Sequence, residues 1–248
     1  NQQDLFCGRI VVIKSTSSAG ADAFEQQNNL YTLSIKGIED GRETSHYEIN
    51  NAISRVLAAN QQWPEILKSA ENPDLEIVFS NTTEVGIVMS EDNINDIPPA
   101  SFPGKLLAIL YRRFIYFDGD TDKGLIIVPT ELITDNGTKL KSIVTALAKL
   151  NELPKEFMDW LNTANDFCNT LVDRIVPGAL SPAEHTKTCN LLGYEDQLMI
   201  MAEPFRLWAI EAISERVQQR LSFALADSNV LLVPSIEKYN LKQLSFSM

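Results

Sequence analysis

A short apolar run at residues 75–79 is followed at once by five polar residues, Ser80-Asn81-Thr82-Thr83-Glu84. The run is rich in β-branched and aromatic side chains, which predicts a strand buried on both faces, as in parallel sheets. In an open α/β sheet, ligands bind at the carboxyl ends of the strands. We therefore interpret residues 80–84 as the rim of a binding site. The alternative interpretation is an ordinary polar turn in which Ser80 or Thr83 caps a neighbouring element.

A second apolar run at residues 124–129 is likewise followed by polar residues, at 130–137. The amphipathic pattern of residues 139–150 then predicts a helix. The order of strand, polar loop and helix therefore occurs again, and such alternation is typical of α/β folds. We predict a mostly parallel sheet with helices on both faces and a second site-lining rim at residues 130–137.

A β-hairpin is predicted beside the parallel sheet. Residues 29–37 alternate between apolar and polar side chains, and residues 44–49 form the second strand after a turn at Asp40-Gly41-Arg42. This pattern indicates a hairpin with one solvated face. We interpret it as an insertion.

Other segments have simpler patterns. Helices are predicted over residues 63–70, with Pro64 at the first position, and within residues 101–114. From Pro154 the pattern is typical of a helix, which we expect to lead on through residues 166–178. The remaining predictions are a strand with a partly helical continuation at 199–211, a last strand at 230–234 and a helical segment from 236.

The strand predicted at residues 8–14 ends in Lys14, and Ser15 begins a loop of small polar residues. In nucleotide-binding units, the residue that ends the second strand contacts the adenosine ribose. An acidic residue there favours NAD, whereas a basic one tolerates the NADP phosphate. Lys14 therefore favours NADP, unless it is simply a solvated lysine at a strand end.

The charge balance argues against nucleic acid as a partner. The net charge is −12, from 33 acidic and 21 basic residues, so a phosphate backbone is disfavoured. No stretch approaches the roughly 20 apolar residues that a membrane span needs, and none is expected. The chain starts at Asn1 without an initiator methionine or a signal peptide, from which we expect a fragment.

Cysteine and histidine usage gives little support for a metal site. The three cysteines, Cys7, Cys168 and Cys189, have no C-x-x-C spacing, so neither disulfides nor zinc are predicted and a reducing, cytoplasmic compartment is expected. The two histidines, His46 and His185, lie in polar surroundings and are interpreted as surface residues. A glycine-rich dinucleotide motif, G-x-G-x-x-G, is absent from the sequence, which is consistent with a truncated amino terminus.

Five segments together resemble the mannitol dehydrogenase family of long-chain polyol-specific dehydrogenases. These segments are Ser80 to Ile87, Ser101 to Leu106, Glu131 to Ile133 with Asn136-Gly137, Asn169 to Pro177, and Glu203 to Trp208. They occur in the family's order from about Gly8 to Pro234. The resemblance implies a Rossmann-like dinucleotide-binding domain over residues 1–234 that lacks its first strand and glycine turn. Residues 235–248 would begin a helical carboxyl-terminal domain that is largely missing.

The resemblance also implies cofactor and catalytic residues. NAD, with NADP as a tolerated alternative, would be bound by six residues: Lys14, Ser15, Asn81, Thr82, Thr83 and Glu84. The family uses metal-independent chemistry, in which a general-base lysine precedes an asparagine by five residues and a histidine by eight. Lys242 is the candidate base, but no asparagine follows at that spacing and the chain ends before the histidine.

Substrate contacts are implied at Glu131, Val172 and Asp173. The polyol branch of the family has Asp-Asn-Leu where this chain has Glu131-Leu132-Ile133, so the oxyanion-stabilising asparagine is not matched at Leu132. A uronate, which is a sugar acid, fits this departure better than mannitol. The alternatives are a mannitol or fructuronate reductase of the same family, and a non-catalytic α/β module that binds a nucleotide or packs against a partner. This chain alone is expected to be inactive and to self-associate through residues 200–208 and 241–246.

Overall fold

The structure is a computed structural model that describes residues 6–15, 21–39, 41–83, 85–237 and 239. The chain forms two compact units. The first unit contains residues 1–62 and 173–206, and the second contains residues 63–172 and 207–248. The predicted domain boundary after residue 234 stays a prediction.

The described part of the chain contains twelve strands, which in chain order are β1 (Ile10–Lys14), β2 (Tyr31–Glu39), β3 (Arg42–Asn50), β4 (Ile53–Ala58), β5 (Ile77–Ser80), β6 (Ile126–Pro129), β7 (Asp166–Phe167), β8 (Thr170–Asp173), β9 (Gly178–Ala179), β10 (Ile200–Ala202), β11 (Leu207–Glu211) and β12 (Val230–Val233). The α-helices are α1 (Ala21–Gln26), α2 (Ala59–Ser69), α3 (Phe102–Tyr116), α4 (Asn136–Leu150), α5 (Lys155–Thr163), α6 (Pro182–Leu192) and α7 (Glu215–Leu221). Two 3₁₀ helices span Thr121–Lys123 and Ser222–Ala226. Within these described segments, no helix has the length and apolar character that a membrane crossing requires.

The strand pairing is mostly parallel, which confirms the prediction. Parallel pairing joins β1 to β4, β2 to β10, β5 to β6, β6 to β7 and β11 to β12. Antiparallel pairing joins β2 to β3 and β9 to β10. The structure divides the strands among four sheets, two in each unit.

In the first unit, the predicted hairpin is confirmed. β2 and β3 pair along their whole length, and the turn between them contains Gly41 at φ +76°. A positive φ is a conformation that glycine adopts without a steric penalty, which explains the residue at this turn. β2 also pairs with β10, so the hairpin extends a mixed sheet of the order β3-β2-β10-β9.

In the second unit, the main core lies between the sheet β5-β6-β7 and the helices α3, α4 and α5. All four residues of β6 are buried, as the sequence predicts. β5 lies at one end of the sheet order, and its Phe79 is 46% exposed. The prediction that β5 is buried on both faces is therefore wrong, since only Ser80 among its four residues is buried.

Two helical predictions are also wrong. Residues 166–167 form β7, which pairs with β6, and the N–H groups of Asp166 and Cys168 donate to the carbonyls of Leu125 and Ile127 at 3.0 and 2.9 Å. Residues 170–173 form β8, which lies next to β11 in the sheet β12-β11-β8. Residues 207–211 form β11 instead of a helical continuation. In both cases, pairing with strands that are distant in the sequence outweighs the helical pattern of the local side chains.

Two predicted helices begin earlier than expected, α2 at Ala59 and α4 at Asn136. α2 begins at Ala59 and is interrupted at Gln62 (φ −126°, ψ 31°), so that Pro64 lies in the first turn after the interruption. α3 begins at Phe102 because the hydroxyl of Ser101 accepts a hydrogen bond from the N–H of Gly104 at 3.0 Å. This is the usual role of serine at a helix N-cap.

Arg112 and Arg113, near the end of α3, have different environments. Arg112 forms an ion pair with Glu71 at the surface. Arg113 is 1% exposed, and its guanidinium donates to the carbonyls of Ala70, Asn72, Leu75 and Lys123. Burial, together with the nearby Arg216, lowers the pKa of Arg113 to about 10, so it stays charged at neutral pH. The buried side chain of Arg113 therefore joins α3 to the segment at residues 70–75 and to Lys123.

Candidate functional site

The two polar rims predicted from the sequence lie side by side in the second unit. β5 and β6 pair in parallel with Ser80 opposite Pro129, so both strands end at the same edge of the sheet. The N–H and the hydroxyl of Thr130 both donate to the carbonyl of Ser80, at 2.8 and 2.7 Å. Residues 81–83 and 130–131 are therefore neighbours.

Glu131 connects these rims and is 3% exposed. One carboxylate oxygen accepts hydrogen bonds from the N–H and the hydroxyl of Thr82, at 2.9 and 2.7 Å. The other accepts from the hydroxyl of Ser80 at 3.0 Å. A buried carboxylate needs such donors, and hydrogen bonds to a charged acceptor are stronger than neutral ones. Glu131 thus fixes the conformation of the loop that follows β5.

The same loop is restrained from its other end by Gly86. The N–H of Gly86 donates to the carbonyl of Thr83 at 2.7 Å. A Cβ atom at Gly86 would lie 2.1 Å from the hydroxyl of Thr82, a distance that real side chains do not adopt. Only glycine fits this turn without displacing Thr82 from Glu131.

Three side chains at this edge face solvent. Asn81 and Thr83 are exposed, and Leu132, at the position of the polyol branch's asparagine, is 59% exposed. The edge therefore offers amide and hydroxyl groups to a ligand beside one apolar side chain. Glu84 lies outside the described residues.

Asn136 lies directly beneath the second rim and is fully buried. Its side-chain nitrogen lies 3.0 Å from the carbonyl of Glu131 and 3.2 Å from the carbonyls of Pro129 and Thr170. Its side-chain oxygen accepts from the N–H groups of Gly137 and Thr170, at 2.8 and 2.9 Å. Asn136 thereby ties the end of β6 to the start of β8.

The segment Ser101 to Leu106, one of the five that carry the family resemblance, has a structural role in this unit. Ser101 donates to Asp92 through both its N–H and its hydroxyl. Burial alone would raise the pKa of Asp92, but these hydrogen bonds hold it below its ordinary value. Burial lowers the pKa of Lys105, partly offset by the charge of Asp92, and its ammonium donates to the carbonyl of Ala100 at 2.7 Å.

The remaining predicted site residues are placed as follows. Val172 is half-buried and Asp173 is exposed, both in β8. Arg174 does not pair with Asp173 and instead donates to the carbonyl of Glu203, at 3.1 and 3.2 Å. Lys14 and Ser15 lie at the end of β1 in the first unit, so their place at this site stays a prediction. Lys242 lies outside the described residues.

Cys168 is unsuited to thiolate chemistry. Burial, with the charges of Asp166 and Glu211, raises the pKa of its thiol to about 12. A nucleophilic or metal-binding cysteine needs the thiolate, which is scarce at neutral pH for such a group.

The sequence segments that carry the family resemblance contain Asn136 and Gly86 but do not indicate that these two residues position the loop after β5. Asn136-Gly137 was assigned to the rim, whereas it forms the first turn of α4. The Asn-Gly pair was a detectable signal: a Cβ atom at Gly137 would lie 2.4 Å from the carbonyl oxygen of Cys168, so a close approach of backbones requires glycine.

Comparisons of the sequence with known proteins agree on one family. The model of the mannitol dehydrogenase Rossmann domain matches residues 2–222. Altronate oxidoreductase of Halalkalibacterium halodurans is 42% identical over 233 residues, which cover 93% of this chain and 45% of that protein. Altronate oxidoreductase of Bacillus subtilis is 38% identical over 244 residues, which cover 98% of this chain and 50% of that protein. The chain spans about half the length of these curated relatives.

Solved structures show the same fold. The ternary complex of Pseudomonas fluorescens mannitol 2-dehydrogenase with NAD and D-mannitol superposes with a TM-score of 0.75 at 21% identity, covering 93% of this chain and 47% of that one. A D-sorbitol dehydrogenase in substrate-free form gives a TM-score of 0.73 at 22% identity, covering 93% of this chain and 49% of that one. The Rossmann-like fold implied by the sequence resemblance is therefore confirmed.

Proposed function

The chain belongs to the mannitol dehydrogenase family, and from that premise we propose that it forms the cofactor-binding part of an NAD-dependent reductase that interconverts tagaturonate and altronate. The observation that carries the proposal is the identity of 38% to 42% with altronate oxidoreductases over nearly the whole chain. The exposed Leu132 in place of an oxyanion-stabilising asparagine supports a sugar acid over a neutral polyol.

The donor set at the edge of β5 and β6 fits a dinucleotide. Asn81 and Thr83 expose an amide and a hydroxyl in the loop after β5, at the sheet edge where β5 and β6 both end and where such folds bind their ligands. Both groups are able to form hydrogen bonds with a carboxamide or a ribose. When bound, NADH supplies the hydride that reduces the carbonyl carbon of the substrate.

The contribution of this chain is orientation. Hydride transfer requires the reacting atoms to be held in a defined geometry, and that alignment lowers the barrier to reaction. Glu131 holds Thr82 through two hydrogen bonds, and Asn136 holds the backbone of Glu131. The loop that would carry the cofactor is thus ordered before the cofactor arrives, which lowers the entropic cost of binding.

The proposed reaction is tested by following NADH oxidation with tagaturonate, fructuronate and fructose as substrates. We expect the highest kcat/KM with tagaturonate, in a gene product that also carries the helical domain implied by the family. Oxidation with fructose alone would assign the chain to the polyol branch, and no oxidation with any substrate would exclude the reductase. Light scattering and the same assay on this chain alone test the predicted self-association and inactivity of the shorter chain.

Replacing Glu131 by glutamine should loosen the loop after β5. The amide keeps the size of the side chain, and its oxygen can still accept from Thr82 while its NH₂ group donates to the hydroxyl of Ser80. The side chain loses its charge, however, so strong charge-assisted hydrogen bonds become weaker neutral ones. We expect the free energy of unfolding to fall by about 2 kcal/mol and the Kd for NADH to rise roughly tenfold. Urea unfolding and NADH fluorescence titration measure the two effects.

Glu156→Gln is a matched control, because Glu156 is an exposed residue of α5 in the same unit. It should change neither quantity. If Glu131→Gln loses stability but binds NADH as tightly as the parent, the loop after β5 does not contact the cofactor.

Lys14 should influence the choice between NADH and NADPH. A lysine at the end of β1 tolerates a 2′-phosphate, whereas an aspartate would repel it and accept a ribose hydroxyl. Lys14→Asp is therefore expected to shift the ratio of affinities toward NADH by roughly tenfold, or ~1.4 kcal/mol. The same change at Lys36, in β2 of the same unit, is the control. Equal ratios in the Lys14 variant and the parent would show that Lys14 does not face the cofactor.

A further inference from the structure

We propose that His185, Cys189 and Glu195 form a binding site for a divalent transition-metal ion of the Zn²⁺ type. Among the residues that the structure describes, these three bring a nitrogen, a sulfur and a carboxylate oxygen within 4.8 Å of one another. All three belong to the first unit. The site is independent of the proposed function.

The helix α6 sets the spacing of two ligands. His185 and Cys189 are four residues apart, so they lie on the same face of the helix, one turn from each other. The sulfur of Cys189 lies 3.8 Å from Nδ1 and 3.7 Å from Nε2 of His185. Zinc bonds of about 2.3 Å to sulfur and about 2.05 Å to nitrogen, at a tetrahedral angle, separate those atoms by roughly 3.6 Å. The Sγ–Nδ1 distance is close to that value, but the equally short distance to Nε2 shows that the lone pair of Nδ1 does not yet point toward the sulfur. Binding a shared ion therefore requires the imidazole ring to turn about its Cβ–Cγ bond, while the helix need not move.

One hydrogen bond sets the tautomer of the imidazole ring. Nε2 of His185 lies 2.7 Å from the backbone carbonyl of Asp196. A carbonyl only accepts hydrogen bonds, so Nε2 carries the proton and Nδ1 presents its lone pair. Metal-binding histidines commonly donate their other ring N–H to a carbonyl in this way, which fixes the tautomer and raises the basicity of the ligand.

The loop that carries Glu195 is held by its neighbour. The carboxylate of Asp196 accepts hydrogen bonds from the side chain of Gln27 and the N–H of Leu198, both at 2.8 Å, and from the N–H of Thr32 at 2.6 Å. Asp196 is only 3% exposed. Glu195 is exposed, so it approaches the ion from the solvent side.

The chemistry of the three groups selects the metal. A thiolate and an imidazole favour zinc and related ions over Mg²⁺ or Ca²⁺, which prefer oxygen ligands. Cys189 is 2% exposed and packs with Leu180 and Met199, so an apolar wall shields the sulfur on one side. On binding, the thiol proton leaves to solvent and the sulfur bonds to the ion, while the fourth position is left to water.

The sequence did not indicate this site because its ligands lack a C-x-x-C spacing. The four-residue spacing of histidine and cysteine is nonetheless a spacing that helical metal sites use. Only the structure shows that Glu195 returns to the same face.

Titrating the reduced, metal-free protein with Co²⁺ tests the proposal, because a cobalt thiolate bond gives a charge-transfer absorption that other ligands do not. We expect one equivalent of Co²⁺ to produce that absorption and Zn²⁺ to displace it. Cys189→Ser should abolish the absorption, and His185→Gln and Glu195→Gln should weaken Co²⁺ binding by at least tenfold.

The matched controls are Cys7→Ser and His46→Gln, which change an exposed cysteine and the other histidine of the chain. Neither should affect the titration. Cys189 is buried, so Cys189→Ser could lose the absorption simply by unfolding. Glu195 is exposed, and Glu195→Gln is therefore expected to fold. The proposal is overturned if the parent shows no thiolate absorption, if Cys189→Ser retains it, or if Glu195→Gln binds Co²⁺ as tightly as the parent.

Discussion

Replacing Arg113 by methionine is expected to lower the free energy of unfolding by about 3–5 kcal/mol. Methionine fills most of the space of the arginine stem but donates no hydrogen bond. The carbonyls of Ala70, Asn72 and Leu75, together with that of Lys123, then lose their donor inside the second unit. Each buried acceptor left unsatisfied costs about 1–3 kcal/mol. Urea unfolding followed by circular dichroism measures the loss.

The adjacent residue provides the control for this prediction. Arg112 is on the same helix and forms its ion pair at the surface, where such a pair contributes about 0–1 kcal/mol. Arg112→Met should therefore cost less than 1 kcal/mol. Arg113→Lys should fall between the two, because a lysine keeps the charge but lacks the planar set of donors that reaches four carbonyls. If Arg112→Met and Arg113→Met were equally stable, the four hydrogen bonds of Arg113 would not stabilise the second unit as proposed.

Replacing Asn136 by leucine should cost about 3 kcal/mol of unfolding free energy and also impair cofactor binding. Leucine has nearly the same shape but neither donates nor accepts. The N–H groups of Gly137 and Thr170 would lose their acceptor, and the carbonyl of Glu131 would lose a donor. Because Glu131 positions Thr82, the displacement should reach the loop after β5. We therefore expect the Kd for NADH to rise at least tenfold. This Kd is measured under conditions in which urea unfolding shows that the variant is still folded.

Asn162→Leu makes the same change at an exposed asparagine of α5, whose side chain donates to the carbonyl of Met158 within the helix. It should leave both stability and NADH binding close to those of the parent. An Asn136 variant that unfolds more easily but retains the parent's Kd would separate the structural role of Asn136 from cofactor binding.

The sequence predicts the strands well where their side chains alone decide burial. β6 is a continuous apolar run and is buried at every position, and the alternating residues of β2 and β3 form the expected hairpin. The sequence predicts β7 and β8 poorly, because β7 forms through hydrogen bonds to the carbonyls of Leu125 and Ile127, and β8 forms beside β11. Such partners are distant in the sequence and leave no local periodicity.

The sequence likewise predicts one part of the candidate site and not another. The polar residues after β5 and β6 indicated a rim, and the parallel pairing of these strands brings them together. The sequence did not show that Glu131 turns inward to Ser80 and Thr82, or that Asn136 supports it. Both roles depend on which polar groups meet in the folded chain, since a buried glutamate and an exposed one look alike in a sequence.

The pairing of β2 with β10 has a consequence for synthesis on the ribosome. A nascent chain that has reached residue 172 contains β1 to β4 and all of residues 63–172, but it lacks β10. At 5–20 residues per second, the hairpin waits on the order of ten seconds for its neighbouring strand. During that interval one edge of β2 exposes unpaired backbone groups, the feature that recruits other strands in aggregation. Slow translation would therefore lengthen the time for which this edge of the first unit is exposed, and a chaperone that binds it would protect the hairpin.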